Sequence, residues 1–152
     1  EITSLNEDKR AQIRSKDVGF VFQSFHLLPR LSALDNVMMP LEILGAKDAK
    51  EKALKALDEV GLSKRTGHVP HQLSGGEKQR VAIARAMVKA PSILFADEPT
   101  GNLDQSSTDN ILELLLGINK QTKTTLVVVT HDQQLASRSD MVFELQEGKL
   151  KC

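Results

Sequence analysis

Three short apolar segments, separated by stretches of helical periodicity, constrain the fold of this chain most. They occupy residues 18–22, 92–96 and 124–130. Segments of this length that are apolar almost throughout are typical of strands in a parallel sheet. Alternation of such strands with helices defines the α/β class. We therefore expect a mostly parallel sheet whose strands are buried on both faces.

Helical patterns occupy the segments between these strands. Ser32 and Ser74 are suited to cap helices over 33–44 and 74–89, and Gly61 is suited to end a helix over 47–60. A helix over 106–120 and a terminal hairpin over 141–151 complete the pattern. The apolar face expected for the 47–60 helix contains Ala53, Leu54, Leu57 and Val60. The helices at about 33–89 form a block that we expect to be inserted into the α/β core.

Composition narrows the possible functions. Lys+Arg and Asp+Glu balance at 20 each, so no electrostatic case for nucleic-acid binding follows. No apolar run approaches the length that crosses a bilayer. Cys152 is the only cysteine, which excludes a disulfide framework and makes the reducing cytosol the expected compartment.

The Ser74-Gly75-Gly76 turn at a predicted helix start is suited to hold an anion. Two glycines allow close backbone approach, the first amides of a helix point outward, and the helix dipole favours negative charge. A capped helix after a glycine turn is the simpler interpretation of these three residues alone.

Polar residues that follow the predicted strands are candidates for catalysis. Asp97 and Glu98 end the second strand, at the edge where ligands of open α/β sheets bind. Asp97 would support Mg²⁺, and Glu98 would orient or polarise an attacking water. His131 could contact a terminal phosphate, and Gln23 could sense metal or water. Solvated carboxylates, a structural histidine and an ordinary loop glutamine are the alternatives.

The string Leu73–Arg80, followed by Asp97-Glu98-Pro99-Thr100, favours an ATPase. A Gly-rich loop ending in Gly-Lys-Ser/Thr does not occur in these 152 residues, and the one Gly-Lys pair, Gly148-Lys149, precedes Leu150. We therefore expect the chain to be the larger, C-terminal part of an ATPase domain, truncated at its N-terminus.

These motifs resemble the ATP-binding subunits of ABC transporters over essentially the whole chain. In that family they correspond, in order, to the Q-loop (Gln23), the ABC signature (73–77), Walker B (93–97), the catalytic glutamate (Glu98), the D-loop (101–104) and the switch histidine (His131). Residues 21–29 and 99–104 look most like the lipoprotein-release and macrolide-export branch.

The resemblance implies a P-loop NTPase-like (RecA-like) core with an inserted ABC helical subdomain, ATP and Mg²⁺ as cofactors, and Glu98 and His131 as catalytic residues. It implies a homodimer with composite ATP sites, attached through a permease to the inner face of the cell membrane, and no nucleic-acid partner. Gln23 and Asp97 would bind the metal. The residues expected to bind ATP are Gln23, Leu73, Ser74, Gly75, Gly76, Glu77, Asp97 and Asp104.

Two other functions remain open at this point. ABC-type ATPases that act on DNA usually carry coiled-coil or zinc insertions between Q-loop and signature, whereas Gln23 to Ser74 contains no cysteine. Those that act on ribosomes usually have two such domains in one chain. A non-catalytic interaction module that lacks ATP binding is the other alternative, and a Gly-Lys-Ser/Thr segment in the upstream coding sequence would argue against it.

Overall fold

The computed structural model describes residues 2–151 and has the α/β architecture predicted from the sequence. Its α-helices are α1 (Glu7–Asp17), α2 (Ala33–Ile43), α3 (Ala49–Glu59), α4 (Gly75–Met87), α5 (Gln105–Thr122) and α6 (Gln133–Ala136). Its strands are β1 (Val18–Phe22), β2 (Ile93–Asp97), β3 (Thr125–Val129), β4 (Glu144–Gln146) and β5 (Lys149–Lys151). Short 3₁₀ turns at Ser63–Arg65 and Pro70–Gln72 lie between α3 and α4.

The central sheet is parallel, with the strand order β1-β2-β3. Its register aligns Phe22, Asp97 and Val129 at the carboxyl ends of the three strands. The expectation of a parallel sheet is confirmed. The residues that follow these strands therefore begin at one common edge.

One face of this sheet is buried and the other is exposed. Helices α4 and α5 cover the face that carries Val21, Leu94 and Ala96, each 1% exposed. On the opposite face, Phe20 and Phe95 are stacked with their ring centroids 5.4 Å apart, yet they are 42% and 36% exposed. The prediction of burial on both faces is therefore wrong for residues 2–151, because both covering helices pack on the same side.

Helix α4 lies between two hydrophobic clusters. Its Val81 and Ala84 pack with α2 and α3, whereas its Ile83 and Ala86 pack with the sheet and α5. The contact with β1 is close at Gly19, where an added Cβ would lie 3.0 Å from the Ala86 carbonyl oxygen. A movement of α4 would therefore displace side chains in both hydrophobic clusters.

The terminal hairpin is confirmed: β4 and β5 pair antiparallel across a turn at Glu147 and Gly148, both with positive φ. Within residues 2–151, no helix combines the length and the hydropathy that a membrane span requires.

Candidate functional site

The carboxyl edge of the parallel sheet carries an open cleft of about 420 Å³. Its walls come from the segment after β2, from the segment after β3 and from α5. The lining residues are Glu98, Thr100, Gly101, Thr108, Thr130, His131 and Asp132. Both residues predicted to be catalytic therefore line one cleft.

Glu98 and His131 form a direct pair in this cleft. Nδ1 of His131 lies 2.8 Å from Oε1 of Glu98, and the side chains are 85% and 24% exposed respectively. The hydrogen bond to Glu98 and the charge of that carboxylate raise the pKa of His131, and the nearby Asp132 adds to this effect. The pair can exchange a proton and is accessible to a ligand.

The backbone at Glu98 is held in a conformation that non-glycine residues rarely adopt. Its φ is +44°, in the left-handed region. The Glu98 amide donates to the carbonyl oxygen of Val129 (2.9 Å), and the Gly101 amide donates to the carbonyl oxygen of Glu98 (3.1 Å). The first bond connects the turn to β3 and the second closes the turn itself, and together they offset a strain of about 1–3 kcal/mol.

Gln79 supports the same turn from α4, a role that was not predicted from the sequence. Its fully buried amide nitrogen donates to the carbonyl oxygen of Pro99 at 2.6 Å, while its Oε1 has no hydrogen-bond partner among the described residues. Gln79 stands between Lys78 and Arg80, so the sequence does not distinguish it from a solvated residue of the helix.

Gln23 lies beside the turn after β2 and pairs with Asn102. Its Nε2 donates to Asn102 Oδ1 at 3.4 Å, and Asn102 Nδ2 donates to the Gln23 carbonyl oxygen at 3.1 Å. A Cβ at position 101 would lie 2.6 Å from Gln23 Nε2, so this approach requires glycine there. The predicted Q-loop and D-loop residues are therefore in contact.

Asp97 and Gln23 fit a Mg²⁺ ion in their chemistry, because carboxylate and amide oxygens are its usual protein ligands. Asp97 is exposed at the last position of β2, one residue before Glu98. Among residues 2–151, no group of three His, Cys, Asp or Glu side chains is placed to hold a metal ion. A magnesium ion here would therefore need phosphate oxygens and water as further ligands.

Ser74 begins α4 with a capping box. Ser74 Oγ accepts from the Glu77 amide (3.2 Å), and Glu77 Oε2 accepts from the Ser74 amide (2.9 Å). Glu77 also accepts from Arg65 Nε at 2.9 Å. These bonds, that from the Ser74 backbone foremost, lower the pKa of Glu77.

This helix start lies beside the predicted D-loop and does not line the cleft. An added Cβ at Gly75 would meet Leu103, and one at Gly76 would meet Ser107. Among the described residues, none from 73–77 lines the Glu98–His131 cleft. The structure therefore does not bring these predicted ATP-binding residues to the same cleft.

Two further predicted residues have structural contacts of their own. Leu73 is 5% exposed and packs in the α2–α3 cluster, so only its backbone could approach a ligand. Asp104 caps α5 by accepting from the Ser107 amide and hydroxyl, both at 2.9 Å, and these bonds lower its pKa.

Comparison with known proteins gives one consistent family. Residues 1–101 match the family model described as ABC transporter. A lipoprotein-releasing system ATP-binding protein LolD from Legionella pneumophila (strain Paris) is 54% identical over 148 residues, which are 96% of this chain and 65% of that protein. The uncharacterized ABC transporter ATP-binding protein YbbA of Escherichia coli (strain K12) is 51% identical, over 97% of this chain and 66% of that protein.

Solved structures agree with this result. A dimeric post-hydrolysis state of the ATP-binding cassette MJ0796 bound to ADP and Pi has a TM-score of 0.84 at 39% identity. It aligns with 98% of this chain and 67% of its own chain. The chain spans about 65% of the length of the curated LolD relatives from Legionella that it matches.

Proposed function

The chain belongs to the ABC transporter family, as an ATP-binding domain close to the LolD proteins, and we propose that it hydrolyses ATP as part of a transporter subunit. The subunit would drive a permease of the lipoprotein-release or macrolide-export type. The Glu98–His131 pair in an open cleft at the sheet edge is the observation that carries this proposal.

In the proposed mechanism, Glu98 orients a water molecule and accepts its proton as the water attacks the terminal phosphate. The fixed backbone at Glu98 keeps the carboxylate aimed into the cleft. His131 would leave Glu98 to donate to the phosphate, so that the carboxylate becomes available as the base. Mg²⁺ would neutralise phosphate charge, held by Asp97 with the Oε1 of Gln23.

The helix start at Ser74-Gly75-Gly76 is proposed to bind the nucleotide of a second subunit. It packs beside Leu103 and Ser107 and does not line its own cleft, which supports this arrangement. Asp104, close to that helix start, would lie at the dimer interface. The similar MJ0796 cassette was solved as a dimer bound to ADP and Pi, which also favours a site between subunits. Two composite ATP sites would then form between two copies. The outward-pointing amides and the dipole of the helix start would favour the negatively charged phosphates.

The permease is proposed to dock beside the loop after β1. Of the apolar side chains there, Leu28 is 40% exposed, and Phe25, Met38 and Met39 are partly exposed. Methionines suit an adaptable groove. Cysteines at these positions should cross-link to the permease in membranes, which would also place the subunit at the inner face. If none of the four positions cross-links, the permease docks on a different surface of the subunit.

A comparison of two proteins tests the proposed activity. One is the 152-residue chain. The other, here called the complete cassette, is this chain joined to a segment with a Gly-Lys-Ser/Thr phosphate loop, from its own coding sequence or a relative. Steady-state phosphate release should be negligible for the chain alone, because a phosphate loop supplies much of the grip on ATP, and clear for the complete cassette. No ATP binding or hydrolysis by the complete cassette would favour a non-catalytic interaction module.

A further inference from the structure

Arg85, near the end of α4, is bonded to the loop that follows β1. Its Nη1 donates to the carbonyl oxygen of His26 at 2.7 Å, and its Nη2 donates to the carbonyl oxygen of Phe25 at 2.9 Å. The two acceptors are consecutive in the chain. One guanidinium therefore holds two successive peptide groups of a loop about 60 positions away in sequence.

The loop segment that Arg85 holds is strained. Phe25 and His26 have φ of +61° and +48°, so two consecutive non-glycine residues lie in the left-handed region. L-residues adopt that region rarely and only when their surroundings offset the cost. Local contacts contribute: the Phe25 amide donates to Phe22, and the Phe22 and His26 rings lie 4.7 Å apart.

The chemistry of the contact requires arginine. A guanidinium presents donors in a fixed plane, so two of them can reach two neighbouring carbonyl oxygens together, whereas the lysine ammonium is a flexible point charge. Arg85 is partly buried, which strengthens hydrogen bonds made by its charge. Arg85 therefore connects α4, which is capped by Ser74, with the loop that begins at Gln23.

We propose that Arg85 is a positioning residue that holds the 23–30 loop in its left-handed conformation and couples it to movements of α4. The coupling rests on the proposed function, in which Ser74 binds the nucleotide of a second subunit. Closure on that nucleotide would move α4, and Arg85 would transmit the movement to Gln23 and to the loop residue Leu28, which is proposed to face the permease. Arg85 itself lies outside the cleft, so it acts only through these residues.

Hydrogen exchange measured by mass spectrometry tests whether Arg85 restrains the 23–30 loop. It is measured without nucleotide, both in the 152-residue chain and in the complete cassette. In Arg85→Ala, exchange over 23–30 should accelerate about tenfold or more, while 75–87 keeps its protection. Arg85→Lys should give a smaller acceleration, and it remains informative if Arg85→Ala does not fold.

Lys89→Ala is the matched control. Lys89 Nζ also donates to two consecutive carbonyl oxygens, those of Arg14 (3.0 Å) and Ser15 (2.6 Å), but these belong to α1. Its loss should leave exchange over 23–30 unchanged. Unchanged loop exchange in both Arg85 variants, or equal acceleration over 23–30 and 75–87, would overturn the proposal, because the second result describes general loosening.

The same measurement with ATP tests the coupling. In the Glu98→Gln complete cassette, ATP should change exchange over 23–30 by at least about threefold, and adding Arg85→Ala should abolish that change. A change that persists without Arg85 would overturn the coupling. If ATP binds the Glu98→Gln cassette but leaves exchange over 23–30 unchanged, the coupling is overturned. If ATP does not bind at all, the proposed function is contradicted, while the nucleotide-free measurement still decides whether Arg85 holds the loop.

Discussion

Nδ1 of His131 lies 2.8 Å from Oε1 of Glu98, although 33 positions separate the two residues in sequence. Parallel pairing of β2 with β3 produces this contact, because the register aligns Asp97 with Val129 and the next residues continue into the same edge. Glu98 itself has a left-handed backbone, with φ +44°, at the start of the turn. Both partners belong to this chain, so the titration of the pair can be measured directly.

The pKa of His131 should lie above the ordinary histidine value of about 6.5. A raised folded pKa contributes stability that is present below about pH 6.5 and is lost as the pH rises through the folded value. The contribution is small because His131 is exposed. An NMR titration of the chain should show the raised value, and Glu98→Gln should return it toward 6.5, since a neutral amide no longer favours imidazolium. An equal pKa in both proteins would mean that the pair does not form in solution.

Two glycine-to-alanine changes should move stability in opposite directions. Gly19→Ala in β1 would place Cβ 2.8 Å from Leu94 and 3.0 Å from the Ala86 carbonyl oxygen, so overpacking should cost about 1–3 kcal/mol. Gly117→Ala in α5 meets nothing within 4 Å and should stabilise by about 0.5–1 kcal/mol through helix propensity. Urea unfolding of both variants measures the difference. A Gly19→Ala protein as stable as the original would contradict the close packing of α4 on β1.

Mixed dimers test whether the ATP sites are composite. Complete cassettes with Ser74→Arg or with Glu98→Gln should each be nearly inactive, because each damages both sites of its homodimer. Mixing them should restore roughly one quarter of the original ATPase activity, since half of the dimers are mixed and each keeps one intact site. Activity that stays at the average of the two parent variants would instead indicate a site within one chain.

Much of the fold was predictable from local patterns. Ser32 and Ser74 cap their helices as predicted, and β1 begins and ends at the predicted residues. The apolar face of α3 was predicted less well: Leu54 is 39% exposed, and Ala49 and Ala56 are buried. Alanine is tolerated on both the buried and the exposed face of a helix, so its spacing alone does not decide which face it joins.

The covering of the sheet could not be deduced from its strands. Phe20 and Phe95 lie in segments that are apolar throughout, which indicates burial on both faces, yet one face lacks a cover among residues 2–151. The cover of a sheet depends on long-range packing, which strand composition does not specify.

Contacts between polar groups that are distant in sequence could not be predicted either. The bonds from Gln79 to Pro99, from Asn102 to Gln23 and from Arg85 to Phe25 each depend on how α4 and the turns pack together. The catalytic candidates Glu98 and His131 were easier to identify from the sequence, because each follows an apolar segment that predicts a strand. The parallel sheet then brings them to one edge.

Hydrolysis by the complete cassette with Glu98→Gln tests the central claim most directly. The change removes the proposed base but keeps the size of the side chain, so phosphate release should fall about 10²–10⁴-fold while ATP binding persists and holds a closed dimer. Glu59→Gln is the matched control, because the Glu59 side chain on α3 is 65% exposed, and this variant should hydrolyse ATP like the original. Size-exclusion chromatography with ATP and a phosphate-release assay give both quantities. Normal turnover by the Glu98→Gln cassette would show that Glu98 is not the catalytic base and would contradict the account.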